Sequence, residues 1–491
     1  MLLAGFISAC KNNPTQVILN TPPPVIGKQV TGDTLRGFLS GTVPNTQNGK
    51  AHPIYYMDST VVVNKNDTLL IQPGITIIML NTGPTNPKGA PEFQVYGTMI
   101  CAGQKGSPIY LTVPANIRKY VSLTDATSPT LWGGIECAGP TNAFTNQGSG
   151  DLIVKWTHIE FAGGSSAVTD PIVSSAGNRY AIWYQNPTGH FIMEDSWLTG
   201  STDDPLRISG GNISIFRNVI ECCAPTTGDF NFKSGTVGDV AYNVFIGIST
   251  NGPKSANPSK TVCNVNIYNN TIVTCGWRVT KPSRAGSTNI EDGARGIEFN
   301  NLIVNCRTGF RLLDNPLADT ADTQYGYMWY YGSTDAIVHL FYPDTTNVGG
   351  LEKPKPGDVA GVAKANDPQF VAYNVEQFTA SGIFNTFPTP YSSQLPLPAL
   401  NFMRSMDENG NARFLDVTTP FKSDFHLAPG SKAIAHGYTG AVKLNNGTAV
   451  PVPIANCPVA TDANHIFGTY NVKGLGADYG AYQTDNSGNQ Q

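Results

Sequence analysis

Asn218-Val219-Ile220-Glu221-Cys222-Cys223, Asn270-Thr271-Ile272-Val273-Thr274-Cys275 and Asn301-Leu302-Ile303-Val304-Asn305-Cys306 are three copies of one phrase, Asn-x-Ile-x-x-Cys. A degenerate copy, Asn243-Val244-Phe245-Ile246-Gly247-Ile248, stands between the first two. The Asn positions advance by 25, 27 and 31 residues, a period in the range of solenoid repeats. A unit this short cannot bury its own apolar face, whereas copies stacked about 4.8 Å apart bury a continuous column. Each copy is therefore read as one coil. The second residue after the Asn is Ile, Phe, Ile, Ile and the fifth is Cys, Ile, Cys, Cys, so both columns are expected to point inward. Strand alternation puts positions three apart on opposite faces, so the chain must bend between them. Asn tolerates left-handed backbone, which suits it to the turn before each strand. The pattern predicts an all-β chain, a right-handed parallel β-helix with an Asn at one corner and loop excursions.

The composition agrees with that class. Charged residues make up 13% of the 491 positions, while Gly (51) and Pro (35) supply turns. The net charge of −4 gives no basic stripe, so nucleic acid is not an expected partner. Nine cysteines form an odd set, which fits one being set apart for modification. In-register Cys275 and Cys306 side chains point the same way, which makes a bridge between them awkward and favours a ladder of buried thiols. No Cys/His spacing fits a zinc site, and neither metal nor cofactor is expected.

Met1 to Ala9 is a short apolar run, and Ile7-Ser8-Ala9-Cys10 resembles the lipobox of bacterial lipoproteins. The resemblance implies a lipid anchor on Cys10 and membrane attachment through it, with Thr21-Pro22-Pro23-Pro24 as a semi-rigid spacer. Further on stand Asp67-Thr68-Leu69-Leu70-Ile71-Gln72-Pro73-Gly74, Val95-Tyr96-Gly97-Thr98 and Trp132-Gly133-Gly134-Ile135. Near the end stand Asp424-Phe425-His426-Leu427-Ala428-Pro429-Gly430 and Ala477-Asp478-Tyr479-Gly480-Ala481-Tyr482. These phrases resemble the opening and closing rungs of β-helix lipoproteins of Bacteroidota. That likeness implies an outer-membrane lipoprotein at the cell surface, with the periplasmic face the alternative.

The chain divides on this reading into a signal segment (1–10), a linker and N-terminal cap (11–50), the β-helix (51–315) and an aromatic-rich excursion (316–365). C-terminal rungs follow (366–485), with an insertion at 371–423 and a polar tail (486–491). Residues 165 to 178 are polar and read as a loop leaving the solenoid.

Two places invite chemistry. Asp203-Asp204 resembles the paired aspartates of polygalacturonases, although the other signatures of that family are missing. Counting back from successive corner Asn residues gives Asp203, Asp229, Lys254 and Arg284, a mixed-charge row for an acidic sugar. It would serve a polysaccharide lyase or glycoside hydrolase, with calcium as a cofactor of the lyase alternative only. The second place is the aromatic excursion. Tyr325, Tyr327, Trp329, Tyr330, Tyr331 and Tyr342 offer rings that stack on sugars or anchor a protein partner, or else form a satellite core. The reading preferred from sequence is a non-catalytic cell-envelope protein that binds glycan or a partner protein. An architectural subunit of an outer-membrane complex is the third alternative.

Overall fold

Short runs of alternating apolar residues, each ended by a Gly, Asn or other turn residue, form strands too small to stand alone. Among the described residues of the computed structural model they stack into one sheet of 27 strands, wound as a right-handed parallel β-helix. The structure describes residues 30–80, 82, 89–114, 131–138, 150–164, 180–201, 203–221, 228–259, 261–277, 286–313, 317–343, 350–376, 424–454, 468–469 and 473–491. Each coil crosses three faces. In one coil, Leu206–Phe216 supplies the first and second faces with a bend at Gly210 and Gly211, and Val219–Glu221 supplies the third. The next coil repeats this with Asp229–Ala241 and Val244–Ile246.

The expected apolar column is present. Ile159, Leu198, Ile220, Phe245, Ile272, Ile303 and Tyr330 lie in register on the third face. Cys275 and Cys306 are buried free thiols, with the Cys275 backbone N–H donating to Cys306 Sγ at 3.4 Å. Between the two columns the chain bends at a left-handed residue, Gly247, Thr274 or Asn305, which accounts for their odd spacing.

The corner Asn works differently from the sequence expectation. The left-handed residue is the one before it: Arg217, Tyr242, Asn269 and Asn300 have φ of 58°, 59°, 48° and 56°. That turns the Asn side chain inward, into a ladder. Asn218 Nδ2 donates to Asn243 Oδ1 (2.9 Å), Asn243 Nδ2 to Asn270 Oδ1 (3.0 Å), and Asn270 Nδ2 to Asn301 Oδ1 (3.0 Å). Each backbone N–H donates to the same oxygen as its own amide does. Buried amides satisfied this way on every coil specify the register. The ladder closes where Asn301 Nδ2 meets Glu298 Oε2 at 2.9 Å and Met328 Sδ at 3.9 Å.

Several domain boundaries are corrected. The solenoid begins before residue 51, because Thr34–Phe38 and Gly41–Val43 already pair in parallel with Ile54–Val63 and Thr68–Ile71. Its register continues past 315: Thr323–Gly326 pairs with Gly296–Phe299, and Trp329–Tyr331 with Leu302–Val304. Only after that coil does the chain leave, through the four-residue helix Asp335–Val338. The phrases read as closing rungs are not rungs. Phe370–Ala372 and Asp424–Leu427 form a small antiparallel pair, and the described parts of residues 428–491 run back outside the Asn corner as a strap.

The strap explains the doubled Asn residues at two corners. The inner Asn270 and Asn301 build the ladder. The outer Asn269 and Asn300 bind the strap, through Asn269 Nδ2 to Asp478 O (2.7 Å) and Tyr438 N–H to Asn300 Oδ1 (2.8 Å). Residues 486–491 are not a free tail, since Asn489 Nδ2 reaches the carbonyls of Tyr242 and Asn218. Gln491 Nε2 reaches those of Arg217 and Ser196. Beneath the strap, Lys155, Glu194, Arg217 and Asp195 form a buried ion network. Cys10 and the Pro spacer, the loop at 165–178 and nearly all of the 371–423 insertion lie outside the described residues.

Candidate binding site

The last coil ends in an open cleft of about 660 Å³ on the second face. Its position follows from the register. Phe216, Ala241, Tyr268, Phe299 and Gly326 share one outward column, so an aromatic stripe runs down this face. Over most of its length the stripe is covered; Tyr268, for example, donates its hydroxyl to Lys473 O of the strap at 2.8 Å. At the last coil the cleft opens between Tyr325 and Tyr327 of the sheet and Tyr438, Ala441, Val442 and Lys443 of the strap, with the buried Phe299 at its base. Tyr327, at the left-handed corner position, stacks with Phe299 (6.4 Å between ring centres), and Tyr438 packs on Tyr327 at 4.8 Å.

Tyr325 lines the same cleft, with Lys355 Nζ 4.7 Å from its ring centre and its hydroxyl accepting from Lys353 N–H. Gln324 and Lys443 complete the polar rim. Among the described residues, two lysines and no carboxylate stand in the lining. Gly357 holds the Tyr327 ring in place by lacking a side chain: its φ is +84°, and a Cβ there would lie 2.4 Å from the ring.

The six aromatics singled out in the sequence divide between the cleft and the core. Tyr325 and Tyr327 face the cleft, but Trp329, Tyr330 and Tyr331 are 3%, 1% and 2% exposed. Being on a coil of the sheet, they pack inward or under the C-terminal module. Trp329 Nε1 donates to Asn366 O, Tyr330 stacks on Phe341, and Tyr331 donates to Glu376. Tyr342 packs edge-on against Tyr330 and donates to Asp358 at 2.9 Å. Sequence reasoning missed Phe299 and Tyr438. Counting one outward residue per coil from Phe216 would have found Phe299; no local signal marks Tyr438.

The charged row is brought together on the first face, apart from Arg284, which lies outside the described residues. Asp204 Oδ1 accepts the Asp229 N–H at 2.8 Å, and Oδ2 accepts from Asn231 at 2.9 Å and faces Arg207 at 3.4 Å. Asp229 accepts from Asn251 (2.6 Å) and from Lys254 (3.0 Å), and Lys254 also pairs with Glu291 at 2.7 Å. Burial would lower the Lys254 ammonium, but Asp229 and Glu291 more than reverse this and hold it above its usual range. Asp203 is pushed up to about 7 by burial and by the Asp204 charge. Every oxygen of Asp204 and Asp229 is engaged, which makes them parts of a ladder between coils.

Among the described residues no group of His, Cys, Asp or Glu is arranged to hold a metal, and no helix is long and apolar enough to cross a membrane. No protein-family model matches the chain, and neither does a curated protein or a solved structure.

Proposed function

We propose that this chain is a non-catalytic glycan-binding lipoprotein of a Bacteroidota-type cell envelope, anchored in the outer membrane through Cys10, with the sugar held in the cleft of the last coil. The observation that carries the binding role is the wall formed by Phe299, Tyr327 and Tyr438 beside a rim of Gln324, Lys355 and Lys443. Flat apolar rings take the faces of pyranoses, and amide and ammonium donors at the edge take their hydroxyls. A non-catalytic role agrees with the engaged state of the Asp204 and Asp229 carboxylates, since a hydrolase needs one acid and one base free at the scissile bond. The anchor and its Bacteroidota character rest on the lipobox-like Ile7-Ser8-Ala9-Cys10 and on the sequence phrases alone.

The test is a glycan panel titrated against the full chain and its Tyr438→Ala variant. Tyr438 is half-buried at the cleft edge, so the variant should fold and lose at least tenfold in affinity. A panel member cleaved by the chain, or one bound equally by both proteins, would overturn the reading. Metabolic lipid labelling that survives Cys10→Ala would remove the anchor.

A further inference from the structure

The outer side of the first face carries a second set of groups, several coils away from the cleft. Two columns of outward residues run along it. One reads Trp183, Arg207, Asn231 and Lys254 on successive coils, and in the other Ser209 stands next to Lys233. Trp183, Arg207 and Lys233 are each partly exposed. Tyr180 packs edge-on to Trp183 at 5.6 Å, and the Arg207 guanidinium lies over the Tyr180 ring at 5.0 Å. Arg207 and Lys254 have carboxylate partners, Asp204 for the first and Asp229 and Glu291 for the second.

Lys233 has none: among the described residues it makes neither an ion pair nor a hydrogen bond. Its ammonium is held below its usual range by burial, then by Lys254 and Arg207, against the weaker opposite pull of Glu291 and Asp229. Two neutral atoms of the same strip are also buried without a partner, the indole Nε1 of Trp183 and Oδ1 of Asn231. An unpaired, partly desolvated cation is costly in the free protein, and the partly exposed Trp183 lies two coils further along the same face. The cost at the partly exposed Lys233 is relieved by an anionic occupant.

The geometry points to a second binding site here, for a sugar unit bearing an oxyanion, with the oxyanion on Lys233 and the sugar ring against Trp183. Arg207 stands one coil away and adds longer-range attraction. The oxyanion is a carboxylate or a sulfate ester. Both have the oxygen acceptors that an ammonium seeks, and the strip itself does not separate them.

Binding of alginate (carboxylates), dextran sulfate (sulfates) and unmodified dextran to the full chain tests the site. The Tyr438→Ala background disables the cleft, so failure here and failure of the cleft reading are told apart. Either anionic polymer is expected to bind at least tenfold tighter than dextran, with affinity falling as salt rises. Lys233→Met should abolish that preference and Lys233→Arg restore it. Lys233→Met should also leave the melting temperature unchanged or raised, because it removes an unpaired charge; a purely structural lysine would instead lower it. Equal binding of dextran and the anionic polymers overturns the proposal. So does an unchanged preference in Lys233→Met, or a destabilised Lys233→Met protein.

Discussion

The corner between the second and third faces and the outer side of the first face are built on the same coils, yet they solve the stacking problem in opposite ways. At the corner one residue type repeats, and each amide hands its hydrogen bond to the next coil through Asn218, Asn243, Asn270 and Asn301. On the first face the column changes at every coil, from Trp183 to Arg207 to Asn231 to Lys254; Asn231 and Lys254 find unlike partners on neighbouring coils, Arg207 finds one on its own coil, and the indole Nε1 of Trp183 finds none. Repetition satisfies polar groups from within, so it marks scaffold. Variation leaves unpaired groups facing outward, and these are where a ligand gains most.

The comparison can be broken by mutation. The largest effect is expected from Lys254→Met, which strands the Asp229 and Glu291 carboxylates that share this ammonium. Removing one partner of a buried pair costs about 3–5 kcal/mol, to be read from denaturant unfolding. A loss under about 1 kcal/mol would mean that the first-face ladder is solvated rather than structural. Next is Asn243→Ala, which deprives the Asn218 backbone N–H and amide of their shared acceptor. Two orphaned buried donors put the loss at about 3 kcal/mol. If this variant unfolds like the parent, the repeated corner is not what holds the coils in register.

The last effect concerns pH and the strap. Asp239 accepts the Ile454 N–H at 2.7 Å, and burial pushes its carboxyl up to about 8, from 3.8 for an unburied side chain. Its protonated form is the one favoured on folding. The stability it contributes is therefore fully present below pH 3.8 and is lost as pH rises through 8. Glu352 and Asp203, each raised to about 7, act in the same direction. Thermal melts between pH 4 and 9 should show stability falling with pH, and Asp239→Asn should flatten part of that slope. An unchanged slope in the variant would assign the pH dependence to the other carboxyls.

How far the molecule was legible depended on whether the relevant contact lay one coil away. The Ile and Cys columns could be read because their partners recur at a fixed period. The reading stopped at Cys306 because the next coil carries Met328 where Asn had stood, and the ladder closes on Glu298 instead. Without the Asn the coil is hidden in the sequence, and its Trp329-Tyr330-Tyr331 strand reads there as part of an excursion, with exposed rings and a satellite core both open. Counting places Asp203, Asp229, Lys254 and Arg284 on a common face, but not the pairing of Asp229 with Lys254 or the part of Asp204, since these depend on which oxygen meets which donor. Lys233 escaped notice because its interest lies in lacking a partner.

By itself the sequence determined the winding, because an apolar column with a fixed period has one way to be buried, by stacking coils. It also named the corner, although not the residue that turns it. Only the tertiary structure decided where ligands can be met. The strap from residues 428–491 covers the aromatic stripe along the second face, and its Tyr438 and Lys443 form one wall of the cleft at the last coil. That choice rests on contacts between residues far apart in the chain, for which the local pattern carries no signal.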